Sequence, residues 1–457
     1  MSGDLTQLLA MVDNARDEVI ALTQDLVRLE TVNFGTPESG NELIAAEFLR
    51  DKLAADGIDS EIYKSRENRG NVVASLSNGD GPSLLLMSHT DVVPVEDAGQ
   101  WTHPPFGGDL AEGRIWGRGS SDMKSTVAAH AMALLILKRA GVELNGRLTF
   151  ASCADEEAGG AYGFGWMAEH HPDVLRADYA VNEGGGGPVR AEGGIIYPIS
   201  TGEKGRLEAH FKIVGRGFHA SQPWRADNAI YKAEEVVRRI RTYQPETSAD
   251  SELFKHLDTL AGIRHPVTNE NLEQTLKEVE KVNPSLASML RAASRMTIVA
   301  SMINAGVKSN SVAENCTIVC DIRSMPWQDK AYVQRQVEGI IEGLNGVSVE
   351  VRETAISNHS PYDSPFRGYV EQATKDATGI NDLRFVPGLT VGFTDSRFVR
   401  PLGNVTYGFI PAHVDDDPSK SGAHNINEST GVDSLLNATR FTVALAWRIL
   451  AKKGEQN

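Results

Sequence analysis

Cysteine is scarce: Cys153, Cys316 and Cys320 are the only three in 457 residues, an odd set without CxxC spacing. This excludes a disulfide framework and predicts buried thiols in a reducing compartment. No stretch approaches the roughly 18 apolar residues that a membrane-spanning helix needs. The first residues show no basic segment followed by an unbroken apolar one, so the expectation is an unprocessed cytoplasmic protein. Lys and Arg number 45 against 61 Asp and Glu, a net charge of −16, and no Lys/Arg run reverses that sign locally. Phosphate backbones and anionic membrane surfaces are repelled by such a chain, so neither nucleic acid nor membrane is expected as a partner. Repeats and low-complexity tracts are missing too. With 41% hydrophobic and 23% charged residues, disorder and collagen are excluded.

What remains is a globular chain long enough for two or three domains. Val19, Leu22, Leu26 and Leu29 recur at helical spacing, as do Leu43, Ala46, Leu49 and Leu53. Short apolar runs at 58–63, 71–76, 84–88 and 148–153 read as strands, and 125–139 as a long helix. Strands alternating with helices imply an α/β/α sandwich. Leu84-Leu85-Leu86-Met87 and Ala180-Val181 do not alternate, as expected of inner strands covered on both faces, so the sheet should be mixed with a largely parallel centre.

Between 203 and 356 the order becomes β-α-β-β-α-β, with strands at 207–214, 297–303, 316–322 and 347–351. That is a ferredoxin-like α+β arrangement. Residues 244–296 interrupt it with helical periodicity at Leu253, Leu257 and Leu260 and at Leu272, Leu276 and Val279, a helical elaboration. The expected organisation is therefore a first domain from 1–202 and 357–457 with a second inserted at 203–356. A last helix is expected from Val432 to about Leu450.

Several ligand-type side chains stand where strands end, the place where open α/β sheets put their sites. His89 and Asp91 follow the strand at 84–87. As a metal ligand, His89 would use Asp91 as the acceptor that fixes its tautomer. A glycine-rich turn, Gly117-Arg118-Gly119-Ser120-Ser121-Asp122, delivers Asp122 just before the long helix. There Asp122 can cap the helix or bridge two cations; the spacing fits neither a P-loop nor a dinucleotide fingerprint. Asp155-Glu156-Glu157 follows the strand at 148–153, and two adjacent glutamates can divide the work, one ligating and one moving protons. Asn182-Glu183 precedes the run Gly184 to Gly187. His424 lies in the polar stretch Ser421-Gly422-Ala423-His424-Asn425-Ile426-Asn427-Glu428. Together these make two imidazoles and three carboxylates, enough for two four-coordinate ions sharing Asp122 and a water. His130, His103, His170 and His171 read as structural.

His89-x-Asp91, the GRGSSDMK turn, Asp155-Glu156-Glu157, Asn182-Glu183-Gly184 and the late His424 resemble the di-zinc aminoacylase, carboxypeptidase and acetylornithine deacetylase family. WTHPPFG at 101–107, Gly217-Phe218-His219-Ala220-Ser221 and Gly392-Phe393-Thr394-Asp395-Ser396-Arg397 are similar to further family motifs, in the family's order. The resemblance implies a catalytic domain with an inserted lid or dimerisation domain. It implies two divalent metal ions, zinc first, with manganese or cobalt as alternatives. His89, Asp122 and Glu183 would hold one and Asp122, Glu157 and His424 the other. Asp91 and Glu156 join His219 in the catalytic set: Glu156 as general base toward a metal-bridging hydroxide, His219 as an oxyanion donor often reaching across a homodimer interface formed by the inserted domain.

The reaction implied is hydrolysis of the amide bond in N-acyl amino acids or small peptides. Glutamate at position 183 is the family's deacylase and carboxypeptidase choice, aspartate that of its aminopeptidases. Asn310, Arg323 and Thr394 match substrate-binding positions, the first two receiving a carboxylate, and the segments before and after Met296 are similar to the carboxypeptidase S and N-fatty-acyl amino acid hydrolase branch. Phe218 stands where the family commonly has a glycine and Gly392-Phe393-Thr394 lacks its usual glycine pair, so a narrower or more apolar pocket is expected near Thr394. Three alternatives stay open: a dipeptidase or aminopeptidase, a hydrolase of a non-peptide amide, and a binding protein that has lost the reaction.

Overall fold

The computed structural model describes residues 4–36, 38–191, 193–417 and 420–452. They fall into two compact units, one drawn from Met1–Thr201, Ser360–Gly388 and Thr394–Asn457, the other from Gly202–His359 with Leu389–Phe393.

In the first unit the strands lie in the order Ser60–Arg66, Arg69–Asn78, Gly146–Cys153, Ser83–His89, Tyr179–Asn182, Val405–Gly408 and Gly194–Glu203. The four central strands run parallel and the outer pairs antiparallel, so the sheet is mixed with a parallel centre. Both faces are covered. Leu84 and Leu86 enter a core built with the helices Ser125–Arg139 and Val432–Leu450, while Leu85 and Met87 enter another with Phe164, Met167 and Val399. Continuous apolarity along Ser83–His89 is thus a consequence of burial on two sides. The helix Ser125–Arg139 is buried almost throughout. His130 lies inside it, fully buried, with neither ring nitrogen hydrogen-bonded, and burial lowers its pKa to about 3. A small sheet of three-residue strands, Asp109–Ala111, Arg114–Trp116 and Ser429–Gly431, escapes sequence reading because it is too short for any periodicity.

The second unit holds a four-stranded antiparallel sheet in the order Thr297–Ala305, Asn315–Ser324, Gly205–Val214, Val347–Ala355. Alternation decides which face is covered: Leu207, Ala209, Phe211 and Ile213 meet Cys316, Ile318, Cys320 and Ile322 beneath the helices Ala229–Thr242 and Lys330–Ile341. Burial pushes the Cys320 thiol up to about 12, so both cysteines of that strand behave as core side chains. The helices Leu272–Val282 and Pro284–Ala293 form a separate small core with Leu253 and Leu257. No helix among the described residues is long and apolar enough to cross a membrane.

Candidate metal centre

Three parallel strands of the first unit end together. His89 stands opposite Cys153, and Leu86 opposite Val181, so the residues just past each strand converge. His89 is 2% exposed. Its Nδ1 donates to the main-chain carbonyl of Asp91 at 3.0 Å, which leaves the Nε2 lone pair available to a cation. The Asp91 carboxylate is 3.5 Å from the same Nδ1 and has a second duty. It accepts from the main-chain N–H of Glu156 at 3.0 Å and of Glu157 at 3.1 Å, pinning both glutamates.

Asp122 does not cap the helix that follows. The Ser125–Arg139 helix has no side-chain cap, and Asp122 and Met123 keep non-helical dihedrals. Its carboxylate instead lies between the two imidazoles, Oδ1 at 3.2 Å from His89 Nε2 and Oδ2 at 3.2 Å from His424 Nε2. Glu183 Oε1 is 3.6 Å from His89 Nε2, and Glu157 Oε2 is 3.1 Å from His424 Nε2. Two donor groups result, His89–Asp122–Glu183 and Asp122–Glu157–His424, each with its ligand atoms within 4.8 Å of one another.

The electrostatics favour a cation. Burial, then the charge of Asp122, raises the Glu183 carboxyl well above its ordinary value; burial and the charge of Glu183 do the same to Glu156. Hydrogen bonds to Asp122 and Glu157 lift His424 to about 10. Carboxylates crowded this closely resist ionising together, and divalent ions would relieve that repulsion. Mixed imidazole and carboxylate donors suit zinc, manganese or cobalt. The residues present therefore fit divalent metal.

Residues that the sequence did not single out complete the surroundings. Asn33 Nδ2 bridges the Asp91 and Asp155 carboxylates at 3.0 Å each, and the buried Arg69 pairs with Glu42 and lies 3.5 Å from Asp155. Past Glu183 the glycine run presses on the adjacent strand: a Cβ on Gly185 would come within 2.4 Å of the Gly408 carbonyl oxygen. Thr394 is buried, and its hydroxyl accepts from Asn182 Nδ2 at 3.2 Å and donates to Ser396 at 3.0 Å, so its visible work is to fasten the 394–396 turn beside Glu183.

In the second unit, His219 is exposed and its Nδ1 accepts from Ser221 Oγ at 2.7 Å. Asn310 lies on the paired segment, where its carbonyl accepts from Ala220 N at 3.0 Å. Arg323 sits on the strand Asn315–Ser324 with its Nε bonded to Asp321 at 2.8 Å.

Residues 85–448 match peptidase family M20/M25/M40. The chain belongs to this family. Its members hydrolyse amide and peptide bonds with divalent metal. A relative in Staphylococcus aureus (strain Mu50), named "Probable succinyl-diaminopimelate desuccinylase", is 30% identical over 396 residues, 84% of this chain and 88% of that one. An "N-fatty-acyl-amino acid synthase/hydrolase" of Mus musculus is 26% identical over 469 residues, 93% of this chain and 87% of the other. Among solved structures, an M20 family metallo-carboxypeptidase of Sulfolobus solfataricus superposes with a TM-score of 0.69 at 18% identity, covering 94% of this chain and 98% of that one. This last likeness is one of fold, and the α/β architecture of this M20 chain agrees with it.

Proposed function

We propose that this chain hydrolyses the amide bond of N-acylated amino acids or small peptides at a pair of divalent ions, zinc by first choice, with Glu156 as general base. The observation that carries the reading is the sharing of Asp122 between two donor groups, with Glu156 anchored through its main chain to Asp91 beside them. Bound metal would polarise the scissile carbonyl and acidify a water. Glu156 takes the proton of the attacking water and delivers it to the leaving amine. His89 and Glu183 would hold one ion and Glu157 and His424 the other, with Asp122 common to both.

His219 is proposed as the oxyanion donor. Ser221 hydroxyl and main-chain N–H both point at its Nδ1, so the proton resides on Nε2, ready to donate. Asn310 and Arg323 are proposed to receive the substrate carboxylate, the latter by exchanging Asp321 for it. The inserted 203–356 segment is proposed as the lid and as the surface of a homodimer. In its favour, the sheet-edge strand Thr297–Ala305 exposes Val299, Met302 and Ile303 by 57–59%. A fully active monomer by light scattering would overturn the dimer. An acylated rather than free amine is favoured by Glu183 and by the names of the desuccinylase and fatty-acyl relatives.

The test is a panel of N-acyl amino acids and free dipeptides, offered to zinc- or manganese-loaded protein with a chelator control and read by amine release. Chelator-sensitive cleavage confined to acylated substrates is expected. Cleavage of free dipeptides alone would replace the deacylase reading with a dipeptidase, and no cleavage of either would remove both.

A further inference from the structure

Glu428 is 1% exposed and stands four residues beyond His424. Its Oε2 accepts from Arg118 Nη1 at 2.7 Å and from Gly119 N at 2.9 Å, and its Oε1 accepts from Ser121 N at 2.9 Å and Asp122 N at 3.0 Å. Its main-chain carbonyl takes a fifth bond, from Gly117 N at 2.9 Å. One side chain therefore gathers the turn that carries Asp122, with the N–H groups of Gly119, Ser121 and Asp122 converging on its carboxylate. Gly119 permits the convergence. It adopts φ +80°, and a Cβ there would meet Val92 Cγ1 at 2.4 Å.

The segment bearing Glu428 also bears His424, and it is closed by Asn425 N donating to Gly422 O and Ser429 N to Ser421 O, both at 2.8 Å. Through Glu428, the Asp122 turn and the His424 loop become one body, although they are some 300 residues apart in the chain. We propose that Glu428 is a positioning residue that holds Asp122 and His424 in register, and thereby sets the affinity of the Asp122–Glu157–His424 group for its cation. This rests on the metal-pair reading above. Arg118 is a side partner in this arrangement: it occupies one lone pair of Oε2, while the main-chain bonds do the positioning.

That division makes the inference testable apart from the buried ion pair. Metal-free wild type, Arg118→Met and Arg118→Met/Glu428→Gln are titrated with Zn2+ by calorimetry, their bound zinc is counted after gel filtration, and their metal-free melting temperatures are compared. Wild type should bind two equivalents. Arg118→Met should keep both, because the main-chain bonds survive. The double variant puts an amide N–H₂ against main-chain donors; it should keep the first equivalent and bind the second roughly 10- to 100-fold more weakly, the range seen when groups behind metal ligands are changed. Its metal-free melting temperature should match that of Arg118→Met. Equal affinity for the second equivalent in both variants would overturn the positioning role. So would loss of both equivalents together with a fall in melting temperature, which would make Glu428 a fold element. A wild type that binds fewer than two equivalents would instead remove the metal-pair reading on which the inference rests.

Discussion

The two donor groups share Asp122 and are otherwise opposites. His89 comes from the end of a strand buried on both faces and is 2% exposed; His424 comes from a polar loop at φ +59° with its side chain 54% exposed. One imidazole is placed by the core, the other by local hydrogen bonds. The difference teaches that, on the proposed metal-pair reading, one half is preorganised by the fold and the other assembled on it, so the halves should fail in different ways.

Asp122→Ala, which strikes both halves at once, carries the largest expected effect. Bound metal should drop to near zero and turnover by roughly 10³-fold or more, since metal assistance amounts to several kcal/mol of barrier. Elemental analysis beside kinetics checks it; two metals retained would break the shared-ligand geometry. Next, His89→Ala and His424→Ala separate the halves. In chelated protein His89→Ala should melt several degrees lower, because it opens a cavity and leaves buried carboxylates uncompensated, whereas His424→Ala opens no cavity and should melt less far below wild type, losing its half-exposed pairs with Asp122 and Glu157. Equal melting temperatures would erase the contrast. The smallest expected effect is that of Asn33→Ala, which cuts the bridge between Asp91 and Asp155. It should weaken zinc by about 10-fold at both groups, because the Asp91 carboxylate that Asn33 holds stands beside His89 and anchors Glu157. Competition with a calibrated chelator reads both affinities.

The same contrast governs what could be read from the chain alone. His89, Glu157 and Glu183 each stand a few residues past an apolar run, so strand periodicity pointed to them. His424 has no such marker, and family resemblance was needed to select it from twelve histidines. Asn33 and Glu428 stayed silent because their partners lie 58 to 122 and 306 to 310 positions away, and such contacts leave no local pattern. The parallel centre was legible because Leu84 to Met87 does not alternate; the strand order was not, because pairings between distant segments leave no local pattern. The helix Leu5–Asn14 was not, since its periodicity breaks at Ala15 before the next helix begins. Arg323 illustrates a different limit: its sequence setting suits a substrate anion, yet its nearest acid is two residues along the same strand.

The strand Ser83–His89 sends Leu84 and Leu86 to one core and Leu85 and Met87 to the other. A slip of one residue would exchange the two sets and bring Ser88 to the place of His89. That half of the centre can therefore evolve only by substitution, residue for residue. The loop that bears His424 has its length fixed by Glu428 and Ser429 but is not packed in a core, so diversification of this hydrolase has exposed side chains free to change on one side of Asp122 and a frozen accident of packing on the other.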